Sequence, residues 1–426
     1  MDPADARAAA PGSVRGLVRS SAGIAVAMGI QNVAAYGFTI LAAWRLGPSQ
    51  YGAVASLMGL LLVVVVPSLG LQATGARAIA ANPSRRPEIE AALMSATYRA
   101  ALGLGALCLL LTPLIVAGLQ LSSWTPALMI GLSAVPLTVI GGQSGVLQGE
   151  SRWSALGALY LSLGVGRLAI GAVGMWISET TIGAMAGVAV AAWLPALVGA
   201  LALGHVGRGA ASHRTVVRTG ERMLREVLAN SHALFAFFAL SNTDIVVARL
   251  SFDDHQAGLY AGGLILTKAV LFLPQFVVVI AFPSMASGRT RVYLKGLAVV
   301  AGVGAVATLG AALLSGIAVT FIGGSDYREV EPLIGWFALL GTVLAMVQLM
   351  VYEVVARQHR GMVWLLWAGL VAVAATGAWV DLEKQLLWSV LVVDTLVLAA
   401  LVLVSGLVPA VAGADRDVEG DGQVGS

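Results

Sequence analysis

The sequence predicts an all-α polytopic membrane protein with twelve transmembrane helices in two six-helix lobes. Composition is the first reason. Of 426 residues, 58% are hydrophobic and 11% charged, against about 25% charged in a soluble domain. Mean hydropathy is +0.88. The second reason is a series of apolar runs near the roughly 20 residues that cross hydrocarbon. The third is that basic residues concentrate in alternate connecting segments.

In chain order the runs are 16–44, 51–80, 90–119, 125–148, 152–177, 181–205, 224–250, 256–286, 292–322, 329–356, 361–380 and 385–409. Turn chemistry separates them, in RLGPSQYG, ANPSRRPE, QGESRW, SET and GGSDYREVEP. The polar start, MDPADARAAAPGSVRGLVRS, precedes an apolar run too long for a signal-peptide core, with no small-residue cleavage site before its loop. That run is read as the first membrane helix. Residues 1–15 are then a cytoplasmic tail, 16–205 a first lobe, 206–223 a basic linker, 224–410 a second lobe and 411–426 an acidic cytoplasmic tail. The linker, VGRGAASHRTVVRTGER, suits a segment held near anionic headgroups.

Counting loops alternately from a cytoplasmic N-terminus places 18 of the 25 basic residues inside. Only Arg45, Arg249, Arg328 and Lys384 fall outside, and Arg99, Arg167 and Lys268 fall within helices. Positive residues favour the cytoplasmic side, so the expected topology has both termini in the cytoplasm.

The halves resemble each other. QYGAVA at 50–55 matches QAGLYA at 256–261 at an offset of 206, and the same offset pairs Arg19 with Arg225. Helices one and seven run the same way, so the repeats are parallel. Transporters built from repeats place the substrate site at the repeat interface near the midplane.

Several function classes are excluded. Cys108 is the only cysteine, which leaves no internal disulfide and no thiolate metal site. The five histidines lack metal-ligand spacing, and no GxxxxGK[ST] occurs. No cofactor is expected. No basic cluster stands on a polar domain, so nucleic acid is not an expected partner. The longest outer loop, GGSDYREVE, is too short for the catalytic cluster of a glycan polymerase or ligase, so a transporter is expected and an enzyme is not.

An ionisable side chain at the bilayer centre costs roughly 2.5–3.5 kcal/mol on insertion scales and normally faces a bundle interior or wet cavity. Asp244, in SNTDIVVARL, lies near the outer end of the seventh run. It shares a stripe with Asn230, Leu234, Phe237 and Ser241, as on a helix side turned from lipid. Three readings stay open: a structural ion pair or hydrogen bond to a neighbouring helix, a protonatable coupling site, or part of the cavity lining. Lys268, with Gln275 on the same face of the eighth run, is placed to approach Asp244 across the hairpin or to hold an anionic ligand as a point charge. Arg167, in LSLGVGRLAIGAVG, has no acid within a turn, so its partner or ligand comes from elsewhere. Arg99 either snorkels toward the cytoplasm or contacts an anion. Asp394 reads as a partner for a neighbouring helix.

AAWRLGPSQYGAVASLMGLLLVVVVPSLGLQATGARAIA resembles the first hairpin of bacterial oligosaccharide flippases. SNTDIVVARLSFDDHQAGLYAGGLILTKAVLFLPQFVVVIAFPSMA resembles their seventh and eighth helices. These are the polysaccharide-exporter branch of the multidrug/oligosaccharidyl-lipid/polysaccharide (MOP) exporter superfamily, which also holds the MATE multidrug exporters. The resemblance implies two lobes around a central cavity in a bacterial cytoplasmic membrane. It implies a polyprenyl-pyrophosphate-linked glycan as cargo, membrane lipid as surroundings, and polysaccharide polymerase or assembly proteins as further partners. It also implies that the first two helices of each lobe line the cavity; here these carry Gln31, Asn32, Gln72, Asn242, Asp244, Lys268 and Gln275. An ion-coupled multidrug exporter of the same fold is the alternative. Helices one and two hold no Asp or Glu to bind cations.

Overall fold

A computed structural model describes residues 14–204, 213–272, 291–357 and 360–407. Among these residues there are helices and no strands. Nine helical stretches among the described residues are long and apolar enough to cross a membrane. The first, Gly23–Ala81, has 59 residues, roughly 90 Å at 1.5 Å per residue, about three times the hydrocarbon thickness. It is broken at Gly47, whose φ of 65° and ψ of 174° are not helical, and is therefore two crossings. The backbone region at Gly47 is open essentially to glycine alone. Pro48 follows, with its φ preset for a first helical turn.

The helices are labelled in chain order. Helix α1 is 14–46, and α2 is 48–64 continued by Val66–Ala81. Helix α3 is Arg86–Leu110 continued by Thr112–Gly118, α4 is Thr125–Gly149 and α5 is Trp153–Ile177. Helix α6 is Thr181–Ala191 continued by Trp193–Ala202. The second half has α7 (His213–Ser251), α8 (Asp254–Phe272), α9 (Arg291–Leu313 continued by Ser315–Ile322), α10 (Ile334–Arg357), α11 (Val363–Thr376) and α12 (Glu383–Leu407). Each of the twelve apolar runs thus holds a helix. One boundary differs: residues 213–223, read as linker, are the first turns of the 39-residue α7, because Arg, Glu, Met and Leu are good helix formers and Gly220 alone does not break them.

The two ends of the bundle are distinct. Helices join as α1–α2, α3–α4, α5–α6, α7–α8, α9–α10 and α11–α12 at what we call the hairpin end. Trp44, Trp124, Trp176 and Trp379 stand exposed there, as tryptophans do at a membrane interface. Leu110, Leu201, Leu309 and Leu313 are also exposed along the helices. Lipid tails cover such a surface at no hydrophobic cost, whereas water would not. The chain is a multi-pass membrane protein.

Candidate functional site

The lobes meet around a cavity of about 160 Å³, walled by α1, α2 and α5 of the first and by α7 and α8 of the second. Asn32, Tyr36, Arg167, Asn242 and Lys268 give it polar character, and no lining residue is Asp or Glu. Its charged groups are therefore a guanidinium and an ammonium. Arg167 is half-buried. Among the described residues, no salt bridge reaches it. Lys268 Nζ donates to Ser241 O at 2.7 Å and to Asn242 Oδ1 at 3.0 Å. Both direct acceptors are neutral.

Asp244 and Lys268 do not form a contact ion pair. Helices α7 and α8 run antiparallel, and their register sets Tyr260 opposite Asp244 and Lys268 opposite Ser241 and Asn242. Asp244 is 2% exposed. Its Oδ1 accepts from the Ile245 amide at 2.8 Å and its Oδ2 from the Tyr260 hydroxyl at 3.3 Å. Asp394 on α12 is 1% exposed, with Oδ1 unpartnered among the described residues. Asp244, Asp394 and Lys268 lie near enough to interact electrostatically. Behind the cavity wall, two carboxylates thus share one ammonium.

The sequence repeat reappears as geometry. Gly52 packs on Gly258, the residue 206 positions later: a Cβ on Gly52 would stand 3.0 Å from Gly258 Cα, and one on Gly258 only 1.9 Å from Pro48 O. Only glycine permits this approach of two backbones. Other cross-lobe contacts also seal the hairpin end. Trp44 Nε1 donates to Phe321 O at 3.1 Å, and Tyr51 meets Tyr327 edge-on. Arg249, 2% exposed, donates from Nε to Leu119 O at 3.0 Å and from Nη2 to Gln120 O at 3.1 Å, while Nη1 pairs with Asp254 at 2.6 Å. Those carbonyls follow directly on α3, at the negative end of its dipole. Gln120 holds φ 48°, a left-handed conformation unusual for a residue other than glycine.

The remaining candidates lie elsewhere. Gln72 donates to Gln148 Oε1 at 2.9 Å and to the Tyr160 hydroxyl oxygen at 2.7 Å, inside the first lobe and off the cavity lining. Gln31 packs by its backbone against Gly164 of α5. Arg99 donates to Ser95 O at 3.3 Å, stands 3.8 Å from Glu221, and lines a separate cavity with Tyr98 and Gln143. Gln275 and the Asn230 side chain fall outside the described residues. Tyr36, Thr39 and Tyr51 line the cavity without having been singled out in the sequence, since aromatic and hydroxyl residues are ordinary in apolar helices.

No family model matches the sequence, and a search of curated proteins gives no match either. Solved structures match along most of the chain. The inward-facing conformation of a multidrug resistance MATE family transporter of the MOP superfamily is 12% identical, covers 88% of this chain and 94% of its own, and superposes with a TM-score of 0.72. The outward-facing conformation of such a transporter is 13% identical, with coverage of 92% and 94% and a TM-score of 0.57. A MOP superfamily transporter from Pyrococcus furiosus, described as having a binding pocket of reverse polarity that suggests a different function, is 13% identical, with coverage of 92% and 94% and a TM-score of 0.53. The chain has the fold of the MATE transporters of the MOP superfamily.

Proposed function

We propose that the chain is a flippase that moves a polyprenyl-pyrophosphate-linked oligosaccharide across a bacterial cytoplasmic membrane, for cell-surface polysaccharide, by alternating access of its two lobes. The observation that carries this is the cavity's charge: Arg167 and Lys268 line it and no carboxylate does. A cationic cavity suits a pyrophosphate and repels an organic cation. The reversed pocket polarity of the Pyrococcus furiosus transporter, described as suggesting a different function, gives a precedent within this fold for pockets of different polarity. The sealed hairpin end, which the basic-residue count orients outward, fits a cavity loading from the cytoplasm. A volume of about 160 Å³ takes the pyrophosphate; the glycan requires the lobes to part. Polymerase or assembly proteins would receive the product.

Energy coupling is assigned to the carboxylates behind Lys268. With both acids protonated the trio presents the Lys268 charge to the cargo, and release of both protons takes it to −1, so binding of the anion and of protons would be linked. The second reading, export of small molecules by the same fold, is supported by the neighbours described as multidrug transporters.

A ligand that binds only the native state raises the unfolding temperature. Farnesyl pyrophosphate and an organic cation such as ethidium, added separately to purified protein, separate the readings. The flippase reading expects stabilisation by the pyrophosphate, lost in Lys268→Leu. Stabilisation by ethidium alone would favour the exporter.

A further inference from the structure

The second lobe's wall of the cavity comes entirely from positions whose equivalents line the first lobe's wall. Six pairs of residues 206 apart line it: Tyr36 and Asn242, Thr39 and Ile245, Ala55 and Ala261, Met58 and Leu264, Gly59 and Ile265, Leu62 and Lys268. These pairs account for every lining residue of the second lobe. Two contacts show the symmetry directly. Gly52 touches its own equivalent, Gly258, as happens only beside a two-fold axis. The Tyr36 hydroxyl donates to Ile265 O at 3.3 Å, and reciprocally Asn242 Oδ1 lies 3.0 Å from where a Cβ on Gly59 would be. Residue i meeting j′ while j meets i′ is the signature of a self-complementary interface. The pseudo-two-fold axis therefore runs from the hairpin-end seal through the cavity.

On that axis the walls are not chemically equal. Three pairs are apolar on both sides. Leu62 and Lys268 differ by a full charge; the first wall's own cation, Arg167 on α5, stands outside these pairs, since its equivalent, Val373, does not line the cavity. We infer that positions 62 and 268 are equivalent seats for the cation of one anion site on the axis. The residue at each seat sets which wall supplies the charge. The inference rests on the anionic cargo proposed above. It also makes the Leu62 and Lys268 pair a specificity determinant: Lys268 grips the phosphoryl group together with Arg167, while Leu62 offers the lipid end an apolar surface.

The test is a charge transplant in the full-length chain carrying Cys108→Ala, read as equilibrium binding of radiolabelled inorganic pyrophosphate. Lys268→Leu is expected to weaken binding by about tenfold or more, the scale of one lost charge-assisted hydrogen bond. Adding Leu62→Lys to that variant keeps the cavity's net charge and is expected to restore binding to within about threefold of the parent. Should the lysine at 62 hinder folding, Leu62→Cys in the Lys268→Leu background is folded first. It is then treated with 2-aminoethyl methanethiosulfonate, which adds an ammonium, or with methyl methanethiosulfonate, which does not; only the former is expected to restore binding. Folded transplants that bind no better than Lys268→Leu would overturn the equivalence alone. A parent protein that binds no pyrophosphate would overturn the anion reading, and this inference with it.

Discussion

At the scale of single residues, what could be read from the sequence follows from the cost of placing polar groups in hydrocarbon. Asn32, Arg167, Asn242 and Lys268 stand out in apolar runs, and all four line the cavity. The same logic singled out Gln72, whose amide is satisfied inside the first lobe by Gln148 and Tyr160. A sequence shows that a polar group needs a partner without showing which one. Asp394 illustrates the converse. It reads as an ordinary helix-pairing residue, yet it lies buried with Asp244 and Lys268 around a single positive charge. If that trio couples transport to an ion gradient, Asp244→Asn and Asp394→Asn should each reduce the effect of an imposed pH or sodium gradient on transport in proteoliposomes. Gradient dependence unchanged in both would remove the trio from coupling. Gly258→Ala would place a methyl group 1.9 Å from Pro48 O. A backbone atom cannot step aside, so a loss of about 1–3 kcal/mol is expected, seen as a lower unfolding temperature. Gly302→Ala, with nothing within 4 Å, is the control and should be neutral or stabilising.

At the scale of elements, the apolar runs gave the helices because only fully hydrogen-bonded segments can cross hydrocarbon. What the runs left out is how the elements join. The α1–α2 connection reads as an eight-residue turn segment and is a single non-helical residue, Gly47. Gly47→Ala should strain that joint by about 1–3 kcal/mol. At the other end of the bundle, Glu150 accepts from both Arg86 and Arg152. Burial pushes its carboxyl up, but hydrogen bonds with Arg86, Glu90 and Arg152 outweigh it and hold the group below the usual carboxylate range. Its folded value is lower than its unfolded one. Its contribution to stability is therefore complete above the ordinary carboxylate range and lost as pH falls through the depressed value. Glu150→Gln should flatten the acid limb of the unfolding temperature against pH; an unchanged limb would contradict this. Arg249 joins α7 to the end of α3 by two charge-assisted hydrogen bonds. Arg249→Ala should shift the molecule toward states open at the hairpin end. Spin labels at Glu179→Cys and Lys384→Cys, in the Cys108→Ala background, would report that as longer distances, with Arg249→Lys intermediate because an ammonium cannot fork between two carbonyls.

At the scale of the whole molecule, two parallel repeats build one cavity on their shared axis. The repeat was visible only as a few matches at an offset of 206. Its consequence, that equivalent positions face each other across the cavity, needs the relative placement of the lobes, which depends on contacts among residues hundreds of positions apart. The cavity's charge is likewise a property of the assembled molecule, since Arg167 and Lys268 are 101 positions apart in sequence and line one space only where α5 and α8 meet it. The most direct measurement is translocation by the purified chain in proteoliposomes, with a labelled polyprenyl-pyrophosphate-linked sugar and an organic cation assayed side by side. The pyrophosphate-linked sugar is expected to cross and the cation is not. Arg167→Leu combined with Lys268→Leu is expected to slow crossing by roughly a hundredfold, the sum of two lost charge contacts. Export of the cation with no movement of the lipid-linked sugar, or undiminished crossing in the folded double variant, would contradict the flippase reading.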